Sequence, residues 1–341
     1  MLFDFAQRTG RISGVLDGFS EIEQTEAMIN LMVSEAIKTS EIEGEYLSRN
    51  DVMSSIRRNL GLNPELPLSK DKRVEGITEL MLSIRKHFKA PLTEKMLFDW
   101  HTMLMKGNVQ IQIGQWRTHE EPMQIVSGAI SREIVHFEAP PSNKVPSEMK
   151  TFITWFNESQ KSIKKPIIRS AIAHLYFETI HPFEDGNGRI GRAIAEKALS
   201  QNIDRPVLFS LSKSIEGNKN NYYDALKAVQ RSNEITDWIR YFVKTVLDAQ
   251  IDAEQEIEFT LKKTKFFDLH KDSLNERQQK VVRRMLEEGH LGFEGGMNAR
   301  KYVSITSTSK ATATRDLQDL AEKNIFKPIG GGRSTRYEIM L

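Results

Sequence analysis

One stretch of twelve residues combines the side chains needed to transfer a phosphate-containing group. Residues 181–192 read HPFEDGNGRIGR: a histidine, a carboxylate four residues later, a glycine-rich turn and two arginines three residues apart. Imidazole titrates near neutral pH and can accept a proton, whereas a carboxylate oxygen suits Mg²⁺. The amides of a glycine-rich turn and guanidinium groups bind phosphate oxygens. The combination predicts phosphoryl or nucleotidyl transfer to a protein hydroxyl.

This stretch is predicted to be a loop that runs into a helix. Residues 164–180 before it have apolar side chains at helical spacing, and Pro166 suits a first helical turn. Residues 189–200 after it are alanine-rich and are also predicted to be helical. Residues 186–188 between them do not favour a continuous helix. We therefore expect these residues at a helix N-terminus, where free N–H groups and the helix dipole attract phosphate.

The motif resembles the signature of the Fic family, HPFx(D/E)GNGRxxR, at every defined position. Most Fic proteins are AMP-transferases, which move AMP from ATP to a Tyr, Thr or Ser hydroxyl of a protein. The resemblance implies that His181 is the general base and that Asp185 binds Mg²⁺ and the nucleotide. It also implies that the remaining nucleotide site is the loop and the first turns of the helix: Gly186, Asn187, Gly188, Arg189, Ile190, Gly191 and Arg192.

A second element lies near the N-terminus, where residues 39–44 read TSEIEG after a helical run. Thr39 and Glu43 are four residues apart and share a helix face. Alone, the segment predicts an acidic helix end that stops at Gly44, but it also resembles the inhibitory motif (S/T)xxxE(G/N) of Fic proteins. The resemblance implies that Glu43 pairs with Arg192 and blocks the γ-phosphate position, since such a pair occupies the donors that a phosphate needs.

A hairpin is predicted before the motif. Extended runs around residues 125–126 and 134–137 are separated by a connection that contains Gly128. An ordinary surface hairpin would fit the pattern. In Fic proteins the corresponding hairpin, the flap, pairs with the target as an added strand and covers the nucleotide. The resemblance places four flap residues beside the nucleotide: Val135, His136, Phe137 and Glu138.

A tyrosine pair after the motif is a further candidate for nucleotide contact. Fic proteins commonly have two adjacent tyrosines here and a polar side chain eight residues after the first one. Tyr222, Tyr223 and Gln230 fit this pattern. An aromatic ring can pack against adenine, although half-buried helix residues would explain the tyrosines equally well.

The last segment differs from the rest of the chain. Residues 275–341 are predicted to form a helix, a tyrosine-containing stretch, a second helix and a glycine-rich turn with a strand, which resembles a winged helix-turn-helix. Ser309, Thr312 and Arg315 are expected to point outward from the second helix. Lys and Arg outnumber Asp and Glu in this segment by twelve to eight, which leaves DNA binding open. Charges of both signs alternate along that helix, which instead favours docking against the core or a partner.

The 341 residues exceed one typical domain, and the patterns predict a mainly α fold: a helical Fic core, a small β-hairpin flap and a C-terminal winged helix-turn-helix. The predicted boundaries are 1–73 for a helical region with the inhibitory motif, 74–250 for the core, 251–274 for a linking helix and 275–341 for the winged-helix-like domain.

The composition excludes several classes of protein. The chain has no cysteine, which excludes disulfides, thiol chemistry and Cys-bound zinc. No apolar run reaches the ~18 residues of a membrane span, and the N-terminus does not resemble a secretory signal. A cytoplasmic location is therefore expected. A net charge of +2 does not by itself indicate a protein that binds nucleic acid.

The resemblance implies a protein adenylyltransferase of the Fic type that uses ATP and Mg²⁺ and is autoinhibited by Glu43. The target is an unidentified protein with a modifiable hydroxyl, and self-modification and a homodimer are both compatible with the sequence. One alternative is a DNA-binding regulator whose Fic core senses nucleotide or removes AMP. A nucleotide other than ATP also stays open.

Overall fold

The computed structural model describes residues 1–341 except 122, 128–133, 231 and 291. Its helices are α1 Leu2–Asp17, α2 Glu21–Ile42, α3 Arg49–Asn59, α4 Lys72–Lys86, α5 Glu94–Leu104, α6 Val145–Ser162, α7 Pro166–Ile180, α8 Asn187–Ile203, α9 Leu211–Glu216, α10 Lys219–Val229, α11 Thr236–His270, α12 Glu276–Leu286, α13 Ala299–Thr306 and α14 Lys310–Glu322. The strands are β1 Gln124–Ser127, β2 Ile134–Glu138, β3 Phe326–Ile329 and β4 Arg336–Ile339. The predicted mainly α fold is confirmed.

The described residues form two compact units. The first contains Met1–Gly14 and Met28–Ala253, and the second contains Val15–Ala27 and Glu254–Leu341. The boundaries that the sequence analysis gives at residues 73, 250 and 274 stay predictions. Within the described part of the chain, no helix has the length and apolar character needed to cross a membrane.

The core of the first unit forms where helices α2 to α8 bury their apolar faces. Trp100 of α5, Phe152 of α6 and Phe177 of α7 are almost completely buried in this core. Phe183 of the HPF motif joins the same core and stacks on the His101 ring, with centroids 4.1 Å apart. The motif loop is therefore anchored by an aromatic side chain that is inaccessible to solvent.

Local signals in the sequence determine several helix ends. Pro166 occupies the first turn of α7, as predicted. The Thr93 hydroxyl accepts a hydrogen bond from the Met96 N–H (3.1 Å) and caps α5, and Gly107 follows that helix in the left-handed region (φ 88°). The long helix α11 is continuous, and its buried face runs through Phe242, Val246, Ala249 and Ala253.

In the second unit, α12, α13 and α14 are followed by the antiparallel pair β3 and β4. This order matches the predicted order of elements, and the tyrosine-containing stretch forms α13. The winged-helix architecture itself stays a prediction. Ser309 and Arg315 are exposed as expected, but Thr312 is half-buried in the first turn of α14. Its hydroxyl lies 3.0 Å from that of Ser309, whose side chain caps the helix.

Candidate active site

The motif loop begins with a sharp turn at His181. This residue ends α7 in the left-handed region (φ 50°, ψ 60°), and its N–H donates to the Phe177 carbonyl (3.0 Å). The buried Arg117 holds the turn from outside: its Nε donates to the His181 carbonyl (2.8 Å) and its backbone N–H to the Pro182 carbonyl (2.9 Å). Sequence reasoning missed Arg117, because its partners in this turn lie more than sixty residues away in the chain.

The loop is closed by Asn187, the first residue of α8. Its side-chain oxygen accepts from the Phe183 N–H (2.9 Å), and its side-chain nitrogen donates to the Phe183 carbonyl (2.8 Å). Both groups of this amide therefore shape the loop. Gly186 precedes the helix in the left-handed region (φ 80°), which a side chain rarely adopts. No side chain caps this end of α8, so the predicted phosphate site is the uncapped N-terminus of a helix.

His181 is almost enclosed, with its side chain 14% exposed. Burial lowers the pKa of the imidazole to about 4, which makes it neutral and able to accept a proton at neutral pH. Its Nδ1 lies 3.9 Å from Oε2 of Glu178, which is too far for a hydrogen bond. Within the described structure, both Nδ1 and the second Glu178 oxygen are buried without a hydrogen-bond partner.

Glu178 is an additional residue of the site that the sequence analysis did not single out. Burial raises the pKa of this carboxyl to about 8, despite the nearby Arg192 guanidinium. Gly191 lies beside the carboxylate and the His174 ring. The only available signal was spacing, since Glu178 precedes His181 by three residues and shares its side of α7.

The two tyrosines differ in their surroundings. Tyr222 is fully buried, and its hydroxyl lies 2.8 Å from Nε2 of His174. Tyr223 is 39% exposed and approaches the Lys219 ammonium group at 5.8 Å. Gln230 follows α10, and its N–H donates to the last turn of the helix. Tyr223 is therefore the member of the pair with a ring surface open to a ligand.

Arg192 is held by the predicted inhibitory segment. Its Nε donates to the Thr39 hydroxyl (2.8 Å), and its Nη2 donates to the Thr39 carbonyl (2.9 Å) and to Glu43 Oε1 (2.7 Å). The Arg192 side chain is 1% exposed, whereas that of Glu43 is 28% exposed. Burial alone would raise the pKa of Glu43, but Arg192 lowers it on balance. Glu43 is therefore ionised in a charge-assisted pair.

The close approach of Glu43 depends on Gly188. A Cβ atom at this position would overlap the Glu43 carboxylate and crowd the Arg192 guanidinium. Glycine at position 188 thus provides the space in which the carboxylate rests above the first turn of α8.

A second carboxylate from the same segment holds the other arginine of the motif. Nη1 of Arg189 donates to Glu45 Oε2 at 2.8 Å, and Arg189 is buried. The Lys219 ammonium group also donates to the Ile42 carbonyl, which ties the end of α2 to α10. The sequence analysis stopped at Gly44 and did not include Glu45. Both motif arginines are therefore paired with carboxylates from residues 43–45.

The position of Asp185 suits a Mg²⁺ site in which one carboxylate is joined by phosphate oxygens and water. Its side chain is 54% exposed beside the glycine loop, and Oδ1 accepts from the Gly186 N–H (2.6 Å). Among the described residues, no cluster of three or more His, Cys, Asp or Glu side chains could hold a metal alone. Mg²⁺ often takes one or two carboxylates and completes its shell with phosphate oxygens and water. A single exposed carboxylate next to a phosphate site suits that arrangement.

The predicted hairpin is present. β1 and β2 pair antiparallel, with Gln124 opposite Glu138 and Ile125 opposite Phe137, and a register shift follows Ile125. Phe137 is half-buried and Glu138 is exposed. Gly128 and the side chains of Val135 and His136 lie outside the described residues.

Comparisons with known proteins give two family matches. Residues 91–199 match the Fic/DOC family, and residues 1–62 match a domain of unknown function, DUF4172. A probable protein adenylyltransferase of Aquifex aeolicus is 36% identical over 95 residues, which are 28% of this chain and 27% of that protein. Protein adenylyltransferase fic-1 of Caenorhabditis elegans is 30% identical over 238 residues, which are 67% of this chain and 43% of that protein. The chain thus spans less than half the length of either relative.

Solved structures share the fold at low sequence identity. A Fic family protein from Desulfovibrio desulfuricans G20 is 19% identical with a TM-score of 0.57, and the match covers 99% of this chain and 95% of that one. A Fic domain containing signaling protein from Bacteroides thetaiotaomicron is 18% identical with a TM-score of 0.58, and the match covers 77% of this chain and 97% of that one. The family match includes the whole of residues 181–192, whose loop and helix have been described above. Through this domain, the chain belongs to the Fic/DOC family.

Proposed function

We propose that this chain is a protein adenylyltransferase that moves AMP from ATP to a Tyr, Thr or Ser hydroxyl of a protein. The observation that carries the proposal is the position of His181, a neutral imidazole one loop away from an uncapped helix N-terminus and two arginines. The names of its relatives support the same reaction, since both are described as protein adenylyltransferases, one of them as probable.

In the proposed reaction, the target hydroxyl oxygen attacks the α-phosphorus of ATP and its proton passes to the free nitrogen of His181. The new oxygen–phosphorus bond forms as the bond between the α-phosphorus and the bridging oxygen breaks, which releases pyrophosphate. A pKa of about 4 makes His181 a weak base in the resting chain. The negative charge of a bound triphosphate would raise this pKa and strengthen the base.

The phosphate groups would be bound by α8. Its first N–H groups and the positive end of its dipole face the loop, and Arg189 and Arg192 stand one turn apart on the same helix. Asp185 would hold Mg²⁺, which when bound neutralises phosphate charge. The protein would therefore contribute mainly orientation and electrostatic stabilisation, as is usual for transfer of phosphorus-containing groups.

The resting chain would be autoinhibited. Arg192 is bonded to Glu43 and Arg189 to Glu45, so neither guanidinium is fully available to an outer phosphate. ATP must displace these carboxylates or bind in a pose that leaves its α-phosphate out of line. Full activity would therefore require residues 39–45 to move or lose their charge.

The target is a protein whose acceptor segment can lie along the flap. An extended segment would add to the β1–β2 hairpin as a further strand and bring its hydroxyl to the loop. The chain itself is a second candidate acceptor, because its own hydroxyl-bearing segments are present at high effective concentration.

The test uses ATP labelled on the α-phosphate, with the Glu43→Ala chain as the active parent. Adding His181→Ala should lower label transfer to protein by about 10² to 10⁴ and leave ATP binding, measured by calorimetry, largely unchanged. His119→Ala is the matched control, since His119 is a half-buried histidine outside the loop whose Nδ1 lies 2.8 Å from the Glu121 carbonyl. Near-normal transfer without His181 would refute the assigned base. Release of label from a pre-labelled protein, without net addition, would show that the chain removes AMP instead.

A further inference from the structure

The second unit contains two helices joined by a very short turn. α13 ends at Thr306 and α14 begins at Lys310, so residues 307–309 make the connection. Ser307 takes the left-handed conformation (φ 55°), and the Ser309 hydroxyl accepts from the Thr312 N–H (3.1 Å) at the start of α14. Two helices joined by three or four residues are the basic unit of a helix-turn-helix, whose second helix enters the major groove of DNA.

The outward face of α14 has the side chains that such a helix needs. The inward face packs Ala313, Leu317 and Leu320 into the core of the unit. The exposed positions along the first three turns are Lys310, Ala311, Thr314, Arg315 and Gln318. Lys and Arg bind the acceptor edge of guanine, Gln pairs with adenine, and Ala and Thr contact the thymine methyl group. The small side chains would also allow the helix backbone to approach the base edges closely.

The acidic residues of α14 lie outside this face: Asp319, with a 43% exposed side chain, and the exposed Glu322 both come after residue 318. Asp316 is buried and accepts hydrogen bonds from Arg277 Nε (2.8 Å) and the Tyr302 hydroxyl (2.9 Å). Asp319 accepts from the side chains of Gln278 and Lys323, both at 2.6 Å. Within residues 310–318, the one carboxylate, Asp316, is therefore turned away from solvent. Carboxylates tie α12, α13 and α14 together, and the outward face over residues 310–318 is positive.

We propose that α14 binds duplex DNA through this face, with the β3–β4 hairpin contacting the adjacent backbone. Lys327 and Arg336 are exposed on the hairpin, where Glu338 is the one exposed carboxylate of its two strands. With Lys310 and Arg315, they give four basic groups for phosphates and base edges. In the described part of the chain, neither Lys310 nor Arg315 forms an ion pair within the protein, so both are available to a ligand.

The chemistry of the face favours DNA over other macromolecules. Its largest apolar side chain is that of Ala311, whereas the centre of a protein–protein interface is usually rich in aromatic and large aliphatic groups. Duplex RNA is also disfavoured, because its deep, narrow major groove does not admit a helix. A B-form duplex accepts an α-helix in its major groove and supplies the negative charge that complements this face.

The experiment measures binding of the full-length chain by fluorescence anisotropy. The probe is a duplex of about 30 base pairs, three helical turns, enriched by the chain from a random-sequence pool. Four basic contacts should give a slope of log affinity against log salt of roughly −3 to −4. Arg315→Glu should weaken binding by about tenfold or more and remove the sequence preference. Lys310→Glu should make the salt slope shallower by about 1.

Lys280→Glu is the matched control, because Lys280 is exposed on α12 and lies outside the two joined helices. It makes the same change in net charge as Lys310→Glu and should change affinity by less than about twofold. Equal losses from the two variants would show that only net charge matters and would overturn the proposed site. Failure to enrich any duplex, or tighter binding of a duplex RNA, would overturn the choice of ligand. His181→Ala should bind DNA normally, so this result is independent of the proposed transfer reaction.

Discussion

Replacing Glu43 by alanine should raise AMP transfer, because it frees Arg192 to bind the γ-phosphate. The structure allows the size of the effect to be worked out. Glu43 Oε1 lies 2.7 Å from Arg192 Nη2, on a guanidinium that is 1% exposed. A hydrogen bond between charged groups of this kind contributes about 1.5–3 kcal/mol. Since about 1.4 kcal/mol is a factor of ten, transfer should rise roughly ten- to hundredfold. The bonds from Arg192 to Thr39 remain and keep the guanidinium in position.

Glu45 should contribute separately to the same inhibition. Its bond to Arg189 has a similar length (2.8 Å) and similar exposure of the carboxylate. Glu45→Ala alone should raise transfer less than Glu43→Ala, since Arg192 stays blocked, and the double variant should exceed either single one. Glu41→Ala is the matched control, because Glu41 lies in the same segment but pairs with Lys38.

The assay follows label from α-labelled ATP into the chain itself and into a cell lysate, with ATP saturating and all variants confirmed as folded. Arg192→Ala added to Glu43→Ala should abolish the gain, because the phosphate clamp is then missing. Equal labelling by the parent, Glu43→Ala and Glu41→Ala chains would refute the reasoning. Residues 39–45 would then be a structural helix end that happens to contact the site.

Three further outcomes are expected. Asp185→Ala should reduce transfer steeply and flatten its dependence on Mg²⁺ concentration in a titration, because Glu184, the other carboxylate of the loop, is half-buried and accepts from the Gln112 N–H (3.0 Å). Glu178→Gln should lower the transfer rate by about tenfold with little change in ATP affinity, and the rate–pH profile should lose the rise near pH 8, where Glu178 ionises in the parent. Burial lowers the pKa values of His181, His174 and His101 from 6.5 to about 4. The unfolded chain therefore binds protons that the folded chain does not, and the free energy of unfolding by urea should fall between about pH 6.5 and 4, with a shallower fall in His174→Asn.

Local features of this protein could be predicted because their causes are local. Pro166 and the glycines of the loop each act within a few residues, and α7 begins at Pro166 and α8 at Asn187, where the sequence places these helices. The motif of residues 181–192 is long enough to indicate a family, and with it the helical core and the hairpin.

Long-range partners could not be predicted, because periodicity shows which face is buried but not what it meets. Arg117 stabilises the His181 turn from a distant loop, and nothing in its own neighbourhood indicates that role. Tyr222 looks the same as Tyr223 in the sequence, yet one is buried against His174 and the other is open. The burial of Asp316 could not be predicted either, since it depends on the distant partners Arg277 and Tyr302.

Gly188 serves two parts of the protein at once, and this has an evolutionary consequence. Its missing side chain leaves room for the Glu43 carboxylate, while its backbone belongs to the loop that would receive the nucleotide. A mutation to a larger residue at position 188 would displace the Glu43 carboxylate and alter the loop at the same time. Lineages that retain the glutamate are therefore expected to retain glycine at this position, whereas in lineages that lose it only the loop still favours glycine. Relaxed conservation of position 188 after loss of the glutamate would thus record which descendants of this domain keep the contact.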